Sequence, residues 1–216
     1  DQWTSGTLFP HSSRKSARAF NAASGNRPLV VLAYLSGFDG SPESMRKLQL
    51  EHGAEIAQAI VNFDGPIFFV VVGRYHGGAY VVFSQELHDD LQAAALAGSY
   101  ASVIGGGAAA AVVFPREVRA RALKDPRLAA LRESRREPGT TARYERMLEE
   151  IILEKRAEVA QEFDRIHSVE RALAVGSLSQ ILAPSALRPW LVRQVRGWYE
   201  RRTFTMRRLR GTGTSP

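Results

Sequence analysis

The stretch that decides the fold is RYHGGAYVVF, residues Arg74–Phe83, which almost directly follows the apolar run Pro66–Val72. The apolar run predicts a buried strand, and the glycines after it predict a corner into a helix. Glycine permits positive φ and lets a ligand approach the main chain closely. The first N–H groups of a helix lack intrahelical acceptors, so this corner can present backbone donors to an anion. A tight turn with no ligand is the alternative.

A second strand is predicted upstream, and its pairing follows from the connection between the two. Pro28–Leu35 (PLVVLAYL) is apolar and rich in β-branched residues, as in strands that are buried on both faces. The loop SGFDG, Ser36–Gly40, follows it, and Ser41 is expected to cap a helix that runs to about Phe63. Strand, helix and strand form a βαβ unit with parallel strands, whose ligands bind beyond the strands' carboxyl ends. SGFDG and RYHGGA should therefore lie side by side.

The composition indicates a soluble globular protein with an uneven charge. The 216 residues are 44% hydrophobic and 24% charged, contain no cysteine and carry a net charge of +7. Neither a membrane-spanning run nor a signal peptide is recognised, so the cytoplasm is the expected location. Arg188–Arg210 contains eight arginines and one acidic residue. Such a segment suits nucleic acid, membrane phosphates or an acidic protein, or is simply the solvated face of a terminal helix.

Other site chemistries lack their motifs. No histidine pair has metal-ligand spacing, and there is no P-loop, G-x-G-x-x-G or G-x-S-x-G sequence. Gly105–Gly107 form a further glycine corner before an Ala-rich helical stretch. His76 flanks the first corner, where it either orients a ligand or is a packed turn residue.

Three segments together resemble a known family: SGFDGSPESM, FDGPIFFVVVGRYHGGAYVVFS and GSYASVIGGGAAAAVVFPREV. They are similar to the C-terminal, alpha-like half of the carboxyltransferase of biotin-dependent acyl-CoA carboxylases. The resemblance runs from about Leu8 to Val118 and resumes over Val169–Arg188, where AVGSLSQILAPSALR looks like the family's closing segment. It implies an α/β, crotonase-like fold (the ClpP/crotonase superfamily) of repeated ββα units with a charged helical arm.

The predicted organisation follows the same resemblance. Residues 1–10 are expected to be a linker from a preceding half-domain and 11–120 the carboxyltransferase C-domain core. Residues 121–165 are expected to form the charged arm, interrupted at Pro138-Gly139. Residues 166–205 would be closing helices of the same domain, and 206–216 a disordered basic tail.

The resemblance also implies the chemistry. Carboxybiotin, carried on a biotin carboxyl carrier domain, would donate CO2 to the α-carbon of a short acyl-CoA, converting acetyl-CoA to malonyl-CoA or acting on a close homologue, as in fatty acid biosynthesis. No metal is needed in this half. The implied partners are an N-terminal carboxyltransferase half-domain, the carrier domain and biotin carboxylase, in a homodimer or larger assembly, with neither nucleic acid nor membrane. A biotin-dependent decarboxylase subunit and a non-catalytic scaffold docking through its Arg-rich end are the alternatives.

The family's motifs assign the site residue by residue. The N–H groups of Gly78 and Ala79, from its G-G-A motif, would form the oxyanion hole for the biotin oxygen. Ser36 stands where some relatives carry arginine, which leaves a carboxylate-binding role there in doubt. The remaining residues expected to line the biotin or acyl pocket are Gly37, Phe38, Gly40, Tyr75, His76, Gly77, Tyr80, Val81, Gly105, Gly106 and Gly107.

Overall fold

The computed structural model describes residues 5–133 and 140–211 and confirms the α/β class. The strands are β1 Thr7–Leu8, β2 Leu29–Leu35, β3 Gly37–Phe38, β4 Ile67–Tyr75, β5 Leu91–Leu96, β6 Tyr100–Ala101 and β7 Gln180–Leu182. The helices are α1 Pro10–Ala23, α2 Pro42–Arg46, α3 Gln49–Val61, α4 Gly78–Val82, α5 Gly106–Ala108, α6 Pro115–Leu123, α7 Pro126–Glu133, α8 Thr140–Ile166, α9 Val169–Ala174 and α10 Leu187–Gly211. No described helix is long and apolar enough to cross a membrane.

The chain divides into two compact units. The first contains the described residues up to Val103 together with those from Ser168 onward, and the second spans Ile104–His167. The core was predicted to end at residue 120, whereas the second unit begins at Ile104. The boundary differs because the glycine corner Gly105–Gly107 packs with the helices that follow it. Pro138-Gly139, the predicted interruption, lies outside the described residues.

The sheet of the first unit is built around β4. All its strand pairs are parallel, in the order β2-β4-β5-β7, and β6 continues beside the end of β4. This confirms the parallel βαβ pairing of β2 and β4. The strand predicted over Pro66–Val72, which is β4, runs on to Tyr75, because Arg74 and Tyr75 pair with β6.

Both faces of β4 are covered, as its continuous apolar run predicts. Ile67, Phe69 and Val71 belong to the core beneath α1 and α3. Phe68 and Val70 point to the opposite face, where Trp190 of α10 meets Phe68 edge to face at 6.1 Å between ring centroids. The corner therefore follows a strand that is packed on both faces.

Two helix predictions need correction. The helix predicted from Ser41 to about Phe63 is interrupted, because Leu48 takes a left-handed conformation (φ +61°) between α2 and α3. The terminal helix α10 continues to Gly211, past residue 206 at which a disordered tail was predicted to begin. Residues 212–216 lie outside the described chain.

The second unit has its own apolar core and is more than an exposed charged arm. Its buried cluster comprises Ala122, Leu128, Tyr144 and Ile151, contributed by α6, α7 and α8. Charged side chains pair across the outside of these helices. Arg121 contacts Glu117 and Glu162, which raises the pKa of the arginine. Exposed pairs of this kind contribute little to stability, so the apolar cluster holds the helices together.

Candidate functional site

The site forms where two glycine-containing loops meet at the carboxyl ends of β2 and β4. Gly37 has φ +122° and Gly77 has φ +65°, so both use backbone conformations that side chains disfavour. A Cβ atom on Gly77 would lie 3.0 Å from the Cα of Gly37. The predicted adjacency of SGFDG and RYHGGA is therefore confirmed, and it is a contact of main chain against main chain.

Three backbone hydrogen bonds hold the corner to the end of β2 and to the residues after β6. The His76 N–H donates to the Leu35 carbonyl at 3.0 Å, and the Gly77 N–H donates to the Val103 carbonyl at 2.9 Å. The Ser102 N–H donates to the Tyr75 carbonyl at 3.1 Å. Loops after β2, β4 and β6 thus share one network, which orients the residues that follow Gly77.

Gly78 and Ala79 are the first two residues of α4 and occupy the positions predicted to supply backbone donors. Neither N–H group has an acceptor within the described chain, whereas the next N–H, that of Tyr80, donates to the Gly77 carbonyl at 3.0 Å. Gly78 is partly exposed, whereas Ala79 is fully buried, backbone included. The corner therefore holds two neighbouring backbone donors without an acceptor, and that of Gly78 lies on the partly exposed residue.

Phe38 lies directly against these donors. A Cβ atom on Gly78 would overlap the Phe38 ring, and one on Gly53 of α3 would come within 3.2 Å of it. Glycine at both positions lets the ring lie between α3 and α4. Gly40, by contrast, is exposed, and a Cβ atom there would have nothing within 4 Å of it. The predicted contact of Gly40 with biotin stays a prediction.

His76 is a buried residue of the corner. Its Nδ1 atom lies 3.2 Å from both the carbonyl oxygen and the hydroxyl oxygen of Ser102, and the side chain is 5% exposed. Of the two roles that the sequence left open, these contacts favour packing within the corner. Its predicted contact with biotin stays a prediction.

Tyr75, at the end of β4, and Tyr80, in α4, have their rings in contact, with 4.9 Å between the ring centroids. The Tyr75 hydroxyl donates to the Tyr80 carbonyl at 3.1 Å, and burial, with a smaller effect of Tyr80, raises the pKa of Tyr75. The Tyr80 hydroxyl donates to Ser177 Oγ at 2.7 Å. Val81, on the same short helix, is 60% exposed. The pocket-lining roles predicted for these residues stay predictions.

Gly105–Gly107 belong to the second unit, and their roles there differ. The Gly106 N–H donates to Asp164 Oδ1 at 2.7 Å, and a Cβ atom on Gly106 would overlap the Ala160 carbonyl oxygen of α8. Gly107 is exposed with open space around it. All three glycines were predicted to line the biotin or acyl pocket, whereas the contacts of Gly106 give it a packing role within the second unit.

Three residues that hold the corner, Ser102, Val103 and Ser177, were not predicted from the sequence. All three lie inside segments that carry the family resemblance, but the family's motifs assign roles to other residues of those segments. Ser102 and Val103 follow β6, and Ser177 follows α9. Val103 acts through its backbone carbonyl, which no side-chain pattern indicates, and the two serines had no motif to mark them.

Asp39 and Ser41 order the loop that carries Phe38. The Ser41 hydroxyl donates to Asp39 at 2.5 Å and also accepts from the Ser44 N–H, which caps α2. The hydrogen bond from Ser41, then a smaller one from Ser44, lowers the pKa of Asp39. A lowered pKa contributes stability above the ordinary Asp pKa of about 3.9, and the contribution is lost as the pH falls.

Ser41→Ala is therefore expected to raise the pKa of Asp39 towards its ordinary value and to destabilise the protein by about 1 kcal/mol through loss of the cap. The pKa is measured by NMR titration of the Asp39 carboxyl carbon. Ser84→Ala is the matched control, because Ser84 caps the 3-10 turn Gln85–Leu87 in the same way without contacting Asp39. An Asp39 pKa equal in the wild type and Ser41→Ala would contradict this assignment.

Comparison with known proteins identifies the architecture. The transcarboxylase 12S structure with methylmalonyl-coenzyme A and methylmalonic acid bound matches 91% of this chain at a TM-score of 0.65 and 22% identity. The beta subunit of P. aeruginosa geranyl-CoA carboxylase matches 90% of it at 0.66 and 23%. This chain covers 32% and 33% of those chains. The crotonase-like fold implied by the resemblance is confirmed.

Sequence comparison points to the same family. Acetyl-CoA carboxylase of Saccharomyces cerevisiae (strain ATCC 204508 / S288c) is 31% identical over 85 residues, which are 38% of this chain and 4% of that protein. A mitochondrial acetyl-CoA carboxylase of strain YJM789 is 29% identical over 86 residues, again 38% of this chain and 4% of its own length. The family model of the carboxyl transferase domain matches residues 1–212. The glycine corner thus stands in a chain that belongs to the carboxyl transferase domain family.

Proposed function

We propose that this chain supplies the biotin side of an acyl-CoA carboxyltransferase site. The observation that carries the proposal is the pair of N–H groups, on Gly78 and Ala79, that have no acceptor in the described chain. They follow a glycine corner that is hydrogen-bonded to the end of β2 and to the residues after β6. Membership of the carboxyl transferase domain family supports the reaction class.

The residues at the corner suit a flat ring that bears a carbonyl oxygen. Gly37 and Gly77 pack main chain against main chain, and the Phe38 ring fills the space beside Gly78, so an apolar ring lies next to the two N–H groups. Carboxybiotin, when bound, would supply the carboxyl group and present its ureido oxygen to the corner. The Gly78 and Ala79 N–H groups would donate to this oxygen, where preorganised donors have their greatest effect.

The proposed reaction is carboxylation of the α-carbon of a short acyl-CoA, acetyl-CoA or a close homologue, to give malonyl-CoA or its counterpart. The proposed partners are an N-terminal carboxyltransferase half-domain that binds the thioester, a biotin carboxyl carrier domain and biotin carboxylase. The chain covers about a third of each of the two solved chains that share its fold.

The test is carboxyl transfer from malonyl-CoA to free biotin, which is the half-reaction in reverse. The chain is assayed alone and together with a carboxyltransferase N-terminal half-domain, and consumption of malonyl-CoA is followed. Transfer in the mixture, but not with this chain alone, is the expected result. No transfer by folded and associated halves would contradict the proposal and favour a scaffold.

The acyl specificity is tested in the same assembly by replacing malonyl-CoA with methylmalonyl-CoA. We expect malonyl-CoA to give the higher kcat/KM. A clear preference for methylmalonyl-CoA would move the proposed substrate from acetyl-CoA to propionyl-CoA and leave the reaction class unchanged.

A further inference from the structure

The turn at Gly176 and Ser177 is tied to α4 and to the 3-10 turn that follows it. The Tyr80 hydroxyl donates to Ser177 Oγ at 2.7 Å, and the Gln85 side-chain amide donates to the Gly176 carbonyl. Gly176 has φ +80°, so the turn uses a conformation suited to glycine. Residues almost a hundred positions apart are thereby joined beside the Gly78 and Ala79 donors.

Tyr80 is held through its main chain as well as its side chain. The buried Tyr75 hydroxyl donates to the Tyr80 carbonyl, and the two rings pack against each other. Because Tyr80 directly follows Ala79, any rotation of Tyr80 would also turn the peptide planes before it. Those planes belong to glycine-rich chain, which does not resist rotation by itself.

The short helix needs such external support. α4 contains five residues, too few for a helix that is stable by its own hydrogen bonds. Donors that stabilise a developing charge must already point at it before the reaction. Their orientation therefore has to come from contacts outside α4.

We propose that Tyr80 and Ser177 are positioning residues, whose mutual hydrogen bond orients the Gly78 and Ala79 N–H groups. This inference rests on the proposed function of those two donors. It changes the role predicted for Tyr80, from lining the pocket to holding the helix that carries the donors.

The test uses the assembled carboxyltransferase and the variants Tyr80→Phe, Ser177→Ala and their combination. Each single change is expected to lower kcat for biotin carboxyl transfer about ten-fold and leave KM for the acyl-CoA unchanged, because the thioester is bound elsewhere. The double variant should be no slower than either single variant, since both remove the same hydrogen bond. Ser177→Thr, which retains a hydroxyl, should restore most of the rate.

A second readout does not depend on turnover. Amide hydrogen exchange at Tyr80 and Phe83, whose N–H groups donate to the Gly77 and Ala79 carbonyls, is expected to be faster in Tyr80→Phe and Ser177→Ala than in the wild type. Ser179→Ala is the matched control, because the Ser179 hydroxyl donates to the Ala93 carbonyl at 2.8 Å in the same segment and does not contact α4. It should change neither the rate nor the exchange at these two amides.

The outcomes separate the two proposals. A wild-type assembly that transfers carboxyl groups, with both single variants unchanged in kcat and exchange, overturns the positioning role alone. Equal losses in Ser179→Ala and Ser177→Ala also overturn it, because they indicate general loosening of the segment. An inactive wild-type assembly overturns the proposed function, and the exchange experiment then still decides whether Tyr80 and Ser177 hold α4.

Discussion

Replacing Ala79 with proline is expected to lower kcat for carboxyl transfer by about 10²–10³-fold, with KM for the acyl-CoA little changed. Proline has no N–H group, so the change removes one of the two proposed donors to the biotin oxygen. Loss of one donor of an oxyanion hole has this effect on kcat in other enzymes. Ala79 is the second residue of α4, a first-turn position where a proline removes no hydrogen bond of the helix.

Two controls separate loss of the donor from damage to the fold. Glu43→Pro places proline at the second position of another five-residue helix, α2, and should retain the wild-type rate. Because the Ala79 side chain is fully buried, the proline ring is a tight fit, so thermal unfolding of both variants is compared. An ester in place of the Ala79 peptide N–H removes the donor without added bulk. Wild-type kcat in a folded ester variant would refute the oxyanion-hole assignment.

The arrangement of this corner was predictable because it follows from local rules. Two apolar runs separated by a helix imply parallel strands, and parallel strands bring their carboxyl ends to one edge of the sheet. The contact between Gly37 and Gly77 is the direct result. The identity of the donors came from a resemblance of motifs, since a glycine pair alone is equally compatible with a turn.

The break between α2 and α3 was not predictable from periodicity. The break lies at a leucine, Leu48, whose φ is +61° although side chains disfavour this conformation, so no glycine or proline marks it in the sequence. Gln49, the next residue, is fully buried, and its side-chain amide donates to Ser13 Oγ of α1 at 2.9 Å. A hydrogen bond between residues so distant in the chain has no local signature, and here it accompanies a strained backbone conformation.

The second unit shows the same limit. Dense alternating charge in residues 115–163 is typical of an exposed helix, but Leu128, Tyr144 and Ile151 are buried among α6, α7 and α8. The apolar residues are widely spaced along three helices, and only their packing collects them into a core. The hydrogen bond between Tyr80 and Ser177 escaped prediction for the same reason.

Replacing Gly106 with alanine is expected to destabilise the second unit by about 3 kcal/mol. A Cβ atom at this position would overlap the Ala160 carbonyl oxygen and lie 2.6 Å from Asp164 Oδ1. Asp164 can rotate away, although it would then lose its 2.7 Å hydrogen bond from the Gly106 N–H. The Ala160 carbonyl is part of the α8 backbone, so α5 and α8 would have to separate.

Gly107→Ala is the matched control, because the same change one residue later meets nothing within 4 Å. It should leave stability unchanged or raise it by up to about 1 kcal/mol, since alanine favours a helix more than glycine does. Hydrogen exchange of the α8 amides measures the stability of this unit alone. Tryptophan fluorescence cannot report it, because no tryptophan lies in residues 104–167. Wild-type protection of the α8 amides in Gly106→Ala would contradict the packing role. Glycine at this position would then not be needed for α5 to approach α8, and the predicted contact of these three glycines with the biotin site would become the next role to test.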